Sequence, residues 1–426
     1  MTISFSESLN WYEKTQNIIP LASQTFSKSK MALPFKAAPL FIKYGKGAQV
    51  TDLDNNIYTD YINGLLCVSL GYQDQEVDDA IKAQLLSGIS FSLPHTLEAE
   101  VAELLVDLIP CAEMVRFAKN GSDVTSAAVR LARAYTGREH IAVCGYHGWQ
   151  DWYIGSTTRD MGVPEATKKL THGFIYNDIS SLEALIENHP DELAAVIMEP
   201  LNIAPPEDGF LEKVRELCSR NGIVLVFDEV ITGFRYHLGG AQSYFGVTPD
   251  LATFGKGMAN GMPLSAIVGR KDIMQLMNEI FFSGTFGGET LSLAAAKATI
   301  EKMKKVEFSQ YIWTLGNYLV EQYQKYCSES TMFELKGLAP WTFLNITNNR
   351  VNSADTIKSW LIQELCKRGV LFIGTHNLSY AHSFESIDQL IMHYQELFTQ
   401  LNDLDKQGDL AAHLDGKQIE NVFKVR

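Results

Sequence analysis

Between residues 97 and 270 the chain alternates between two hydrophobic periods. Residues 97–109, 122–135 and 211–222 place apolar side chains three and four positions apart, the spacing of a helix with one buried face. The last of these stops on Gly222. Between them stand short apolar runs at 115–119, 141–147, 194–200, 223–230, 251–256 and 265–270. Runs without polar alternation fit strands buried on both faces of a mainly parallel sheet. Helix and strand in turn predict a doubly wound α/β domain.

The flanks read differently. Residues 1 to about 35 mix aromatics with Ser, Thr and Lys, as in an arm that packs on something else. Residues 41–62, FIKYGKGAQVTDLDNNIYTDYI, predict two or three short strands with turns at Gly45-Lys46-Gly47 and Asp54-Asn55-Asn56. From about 307, two long helical stretches flank a strand-like segment at 334–347. A helix at 357–369, a strand at 370–374 and a last helix at 386–401 belong to the same region. The expected organisation is an arm with part of a small α+β domain (1–65), a large domain (66–306) and the rest of the small domain (307–426). Residues beyond about 403 are polar and expected to fray.

Composition narrows the function. A chain of 426 residues with 46% hydrophobic content can bury a large core in more than one domain. A net charge of −14 argues against a general nucleic-acid binder, so an anionic ligand needs a local positive feature. The six cysteines are scattered, without a CxxC pair, and read as reduced thiols. The N-terminus is polar and lacks an apolar signal core, and no apolar run approaches the ~20 residues of a membrane span. The expected location is cytoplasmic.

Five strand-like runs end in polar or special residues: Asn120-Gly121-Ser122, Tyr146-His147-Gly148, Glu199-Pro200, Asp228-Glu229 and Lys256. Ligands of open α/β sheets bind outside the carboxyl ends of the strands, so the five should face one crevice. Gly121 and Ser122 open a helix, whose free N–H groups and dipole attract an anion; an ordinary capped helix would look the same. Asp228 closes an apolar strand and wants a cationic partner, such as a protonated pyridine nitrogen. An acid at this place also holds magnesium in nucleotide-dependent motors, but the chain has no GxxxxGK[ST] loop. Lys256 stands between two glycines after a buried strand, where desolvation favours a nucleophilic amine; a lysine snorkelling to the surface is the alternative. It lies 28 residues after Asp228, on the next strand. An enzyme that uses pyridoxal 5′-phosphate (PLP) needs both such groups. Tyr146 offers a ring to stack on a cofactor, with Val230 on the other face, although a lone Tyr is commonly core or interface. His147 can act as a base, a role Lys256 fits better. No HExxH or similar metal pattern occurs.

With these residues in place, the chain resembles the class III aminotransferases of PLP fold type I, and among them the glutamate-1-semialdehyde 2,1-aminomutase-like group. The resemblance runs from about Pro39 to Phe398. It is strongest in VRFAKNGSDVTSAAVRLARAYTGREHI, GYHG, MEP, FDEVITGFR, PDLATFGKGMANGMPLSAIVGR and SGTFGG. It implies a large domain with a mainly parallel seven-stranded sheet between helices, plus a smaller α+β domain built from both termini. Lys256 matches the Schiff-base lysine and Asp228 the acid on the pyridine nitrogen. Gly121 and Ser122 match the phosphate-binding pair, Tyr146 the stacking ring, and Val230 the residue on the opposite face. Thr285 matches a threonine that reaches the phosphate of the neighbouring subunit, in a homodimer with shared sites. Glu199 matches an acid on the substrate side, and Arg235 an arginine that is usually structural.

Departures from the aminomutases bear on the substrate. Lys28 or a neighbour stands where an arginine binds the substrate carboxylate, and lysine does not copy a guanidinium fork. The segment from Trp149 to Thr171 is shorter than the aminomutase lid and differs in composition, with Trp152 and Arg159 in it. Glu289-Thr290 replaces Asn-Pro, and residues 374–383 lack an acidic substrate segment. His376 and Asn377 there are candidates for bonding a hydroxylated substrate, or simply part of a closing loop. The resulting expectation is an aminotransferase that moves an amino group from a small-molecule donor to a polar carbonyl acceptor, of sugar-like or hydroxylated type. The alternatives are a glutamate-1-semialdehyde aminomutase and a non-catalytic relative that uses the fold as a scaffold.

Overall fold

The computed structural model describes residues 3–330, 332–347, 350–408 and 410–420. The chain forms two compact units. One comprises Gln75–Gln310; the other joins the residues up to Asp74 to those from Tyr311. The cuts fall nine residues beyond 65 and four beyond 306.

The larger unit holds a seven-stranded sheet. In spatial order its strands are Met114–Ala118, Ser265–Gly269, Leu251–Phe254, Val224–Asp228, Leu193–Met198, His140–Cys144 and Thr171–Gly173. Ser265–Gly269 runs antiparallel to both neighbours, and all other pairs are parallel. Two reversals cancel, so Met114–Ala118 points the same way as Leu251–Phe254. Six carboxyl ends therefore lie along one edge, the five expected to carry the site among them. The apolar runs are buried on both faces: every residue of Leu193–Met198, Val224–Asp228, Leu251–Phe254 and Ser265–Gly269 is inside.

The helix Gly121–Thr136 lies on this sheet. Val124, Ala128 and Leu131 on its buried face join a core with Ile141, Val143, Ile197 and Val226. Each large side chain removed from water contributes about 1.5–3 kcal/mol. The helix starts where the Asp123 carboxylate accepts from the Asn120 N–H at 2.8 Å, and it ends at Gly137, which takes the left-handed φ of 68°.

Several strands are shorter than their apolar runs. The run at 141–147 stops pairing at Cys144, because Gly145 turns the chain with φ 109°. This frees Tyr146 and His147 from the ladder. The run at 223–230 ends at Asp228, and that at 251–256 ends at Phe254. The edge strand Thr171–Gly173 was not expected; three residues carry too little periodicity to show it.

In the smaller unit Ile42–Lys46, Gln49–Asp52 and Ile57–Asp60 form an antiparallel meander, extended in parallel by Val370–Leu371. The segment at 334–347 is a hairpin, Phe333–Leu338 with Trp341–Ile346, continued by Thr375–Asn377. Only Val370–Leu371 of the expected strand at 370–374 is paired. The last long helix, Phe384–Gln407, runs past the point where fraying was expected. Its Asp405 carboxylate accepts from the Val351 and Asn352 N–H groups, at 2.8 Å each, which ties the end down. Among the described residues no helix is long and apolar enough to cross a membrane. None of the six cysteines is in a disulfide.

Candidate active site

The carboxyl edge of the large sheet brings most of the expected residues together. An added Cβ on Gly121 would lie 3.2 Å from a Val230 methyl, and one on Gly255 would lie 3.5 Å from the same methyl. Val230 thus joins the N-terminus of the helix Gly121–Thr136 to the residue before Lys256. A Cβ on Gly148 would meet Ser122 Oγ at 2.3 Å, and the Trp149 N–H donates to that oxygen at 3.3 Å. Gly148, at φ 102°, gives the close approach that a side chain would prevent. Here the first turn of the helix presents backbone N–H groups and the positive end of its dipole, suited to a phosphate in a chain of net charge −14.

Asp228 is only 5% exposed. Its Oδ2 lies 2.8 Å from His147 Nδ1, while Oδ1 accepts from the Val230 N–H and from Thr253 Oγ1, both at 3.2 Å. His147 is itself buried, with Nε2 3.2 Å from the Cys144 carbonyl. A buried carboxylate held by three donors stays aimed at one place. The role of His147 was missed from sequence, which weighed it only as a base; its place in the Tyr-His-Gly turn was the one available signal.

Glu199 is buried beside this group. Its Oε2 accepts from the Tyr146 N–H at 2.9 Å and from Asn202 Nδ2 at 2.7 Å. Burial first, and then the Asp228 charge, push its carboxyl above the ordinary range; His147, the Tyr146 N–H and Lys256 pull the other way. Burial and the same two acids raise the Tyr146 phenol, which stays neutral. The Tyr146 ring is 47% exposed, one edge against Tyr153 at 5.7 Å, so a flat surface is on offer.

Lys256 is half-buried and opens a short 3-10 turn, Lys256–Ala259, directly after Gly255. Its φ of 40° is left-handed. For a side chain of this size such a backbone costs about 1–3 kcal/mol, and strain of this kind gathers at functional sites.

The other expected residues are placed as follows. Thr285 is exposed on the loop between Ser283 and Gly287, which lines a cavity of about 370 Å³ with Lys119, Asp123 and Ser126. Glu289 begins the helix Thr290–Lys305: it accepts from the Leu291 N–H at 2.6 Å and pairs with Lys119 at 2.9 Å. The departure at Glu289-Thr290 is therefore a helix cap. Arg235 is buried, and desolvation lowers its guanidinium to about 10. Lys28, exposed, and His376 and Asn377, buried, belong to the smaller unit. His376 bonds Thr342 Oγ1 at 2.9 Å and Tyr394 Oη at 2.8 Å. Asn377 accepts from Trp341 Nε1 and donates to the Ile62 carbonyl. Both side chains have their hydrogen bonds inside that unit.

These residues fit PLP. The N–H cradle at Gly121 and Ser122 suits a phosphate, the oriented Asp228 a protonated ring nitrogen, Tyr146 and Val230 the two ring faces, and Lys256 the aldehyde carbon.

Known proteins agree. The family model for class III aminotransferases matches residues 31–404. The chain is 33% identical over 396 residues to the 3-aminobutyryl-CoA aminotransferase of Cloacimonas acidaminovorans, covering 90% of this chain and 95% of that one. It is 38% identical over 346 residues to the glutamate-1-semialdehyde 2,1-aminomutase of Alkaliphilus oremlandii, covering 76% and 77%. Among solved structures it superposes on an omega-transaminase from Sphaerobacter thermophilus with a TM-score of 0.85, at 27% identity over 93% of this chain and 98% of that one. A β-phenylalanine aminotransferase from Variovorax paradoxus gives 0.83, at 26% identity over 94% and 95%. The strand-end chemistry and these matches lead to one conclusion: the chain belongs to the class III aminotransferases and is a PLP-dependent transaminase.

Proposed function

We propose that the enzyme works as a two-substrate aminotransferase, moving an amino group from a small-molecule donor to a separate polar carbonyl acceptor. The observation that carries this reading over the aminomutase is the packing of the segment after Tyr146-His147-Gly148. Trp152 and Tyr153 are buried, Trp152 Nε1 donates to Ser126 Oγ at 2.9 Å, and Thr171 Oγ1 donates to the Trp152 carbonyl at 2.5 Å. A segment clamped this way suits a site that releases one product before admitting a second substrate. With His376 and Asn377 committed elsewhere, a sugar-like acceptor becomes one member of a panel. The relatives that act on 3-aminobutyryl-CoA and β-phenylalanine favour donors whose amine lies β to an acyl group.

The bound cofactor supplies an electron sink for the carbon that loses its proton. Everything else falls to the chain. Gly121 and Ser122 would hold the phosphate, and Tyr146 and Val230 would hold the ring. Asp228, oriented by His147, keeps a proton on the ring nitrogen. Lys256 would hold the cofactor through its amine and, once freed, would serve as the base that takes the proton from the substrate carbon and later returns it. Glu199 lines the substrate side.

The site is completed by a second copy of the chain, with Thr285 reaching the partner's phosphate site. Exposed apolar residues support such a dimer: Leu86 and Leu93 on one segment, Phe281 and Phe286 on another, tied together by Thr290, whose N–H donates to the Ile89 carbonyl. Six cysteines without a disulfide fit a cytoplasmic location.

The test uses donors without acceptor. A two-substrate enzyme converts one equivalent of donor per site and stops, then resumes when acceptor is added. Full turnover of glutamate 1-semialdehyde with no second compound would overturn the reading.

A further inference from the structure

At the end of the sheet away from Lys256, three histidines distant in sequence come together. His140 opens the strand His140–Cys144, whose other end leads into Tyr146 and His147. His172 is on the edge strand Thr171–Gly173 and pairs with Ala142. Alternate residues share a face, so His140 and His172 project to the same side. His189 ends the helix Ile179–Asn188. The rings of His140 and His172 stack at 5.1 Å with 6° between planes, and His189 lies 4.2 Å from one and 4.8 Å from the other. One ring nitrogen from each falls within 4.8 Å of the other two, and all three side chains are half-buried.

We propose that His140, His172 and His189 bind a divalent transition-metal ion of the zinc type, with Glu192 orienting the ligands. Three imidazoles and an open position suit zinc, copper or nickel rather than magnesium or calcium. His189 Nδ1 lies 3.0 Å from Glu192 Oε2. A nitrogen that donates to a carboxylate leaves the lone pair on Nε2, the arrangement that carboxylates impose on metal-bound histidines. The same carboxylate oxygen lies 3.8 Å from His140 Nε2 and adds negative charge near a cation. The backbone is fixed around it: the His140 N–H donates to the Glu192 carbonyl at 3.1 Å, and the Glu192 N–H to the His189 carbonyl at 3.2 Å. His140 Nδ1 and His172 Nε2 are 2.8 Å apart. Ligands about 2.0–2.1 Å from zinc in a tetrahedron stand roughly 3.3 Å apart. The ring nitrogens, 2.8 Å apart in this pair and within 4.8 Å of one another in all, bracket that spacing.

The site would pin the three-residue edge strand and the helix Ile179–Asn188 to the sheet. It would leave the chemistry at Lys256 untouched. The spacing of 140, 172 and 189 matches no metal motif, which is why sequence alone showed none.

The test is zinc titration of untagged holoenzyme by calorimetry against a competing chelator, with thermal melting alongside. One zinc per chain is expected, with a higher melting temperature when zinc is present. His172→Ala should lose that binding, and Glu192→Gln should weaken it about 10–100-fold. His189→Asn, at a helix end, gives the same comparison should His172→Ala fail to fold, and its transamination rate should equal the parent's. Equal zinc binding by parent and His189→Asn, or none by the parent, would overturn the proposal. So would a loss confined to changes at the thiols or the cofactor.

Discussion

His147 Nδ1 lies 2.8 Å from Asp228 Oδ2, inside the protein, with both side chains cut off from solvent. The pair spans two strand ends and fixes Asp228, the acid proposed to hold a proton on the cofactor ring. Replacing His147 by Phe removes a hydrogen bond to a charged group, worth about 1.5–3 kcal/mol. That converts to a fall in kcat of roughly ten- to a hundredfold. The expected loss is in rate, with circular dichroism unchanged. A kcat within about twofold of the parent's would show that Asp228 needs no such support.

The phosphate cradle depends on Gly148. Its Cβ would stand 2.3 Å from Ser122 Oγ, on a backbone that disfavours side chains. Gly148→Ala should therefore raise the dissociation constant for PLP by about five- to a hundredfold, in line with 1–3 kcal/mol for overpacking. Gly162, at φ 88° with nothing within 4 Å of its Cβ position, provides the control. Gly162→Ala carries backbone strain without the clash, and should hold the cofactor as the parent does in an equilibrium dialysis.

Glu199 sets a pH dependence of stability. Burial and the Asp228 charge raise its folded pKa above the unfolded value of about 4.3. The folded state then binds the proton more tightly, so stability falls as pH rises from about 4.3 through the raised value. Glu199→Gln keeps an acceptor for the Tyr146 N–H and for Asn202 but removes the ionisation. Melting temperatures measured at about pH 5 and about pH 8 should fall less with pH in the variant. Parallel curves for the two proteins would contradict the assignment.

Glu289 is the cap that replaces the Asn-Pro of the aminomutases. Glu289→Ala removes the acceptor for the Leu291 and Ser292 N–H groups and the partner of Lys119. A loss of about 1–2 kcal/mol in urea unfolding is expected, as for other N-caps. Glu289→Gln, which keeps the cap and drops the charge, should lose less. An unchanged midpoint for the alanine variant would remove Glu289 from the account of this helix.

The large sheet was legible because its strands are buried on both faces, and an unbroken run such as Ile223 to Phe227 has no other comfortable place. The site was legible for the same reason: Asp228 and Lys256 break apolar runs at their carboxyl ends. What stayed hidden depends on distance in sequence. His147 and Asp228 meet across 81 positions, and nothing local marks the contact. His376 and Asn377 looked available because they sit in a polar stretch, whereas their partners Thr342, Tyr394 and Trp341 come from other elements. Strand ends were read too far at Tyr146 and His147, where Gly145 turns the chain before hydrophobicity runs out.

The central claim concerns Lys256, and borohydride reduction of the PLP-loaded enzyme tests it most directly. Reduction fixes the cofactor to whichever amine holds it, and peptide mass spectrometry then locates the added mass. The account predicts a single modified lysine, Lys256, together with loss of the visible cofactor band and of transamination in Lys256→Ala. Cofactor fixed to another lysine, or full activity in Lys256→Ala, would contradict it.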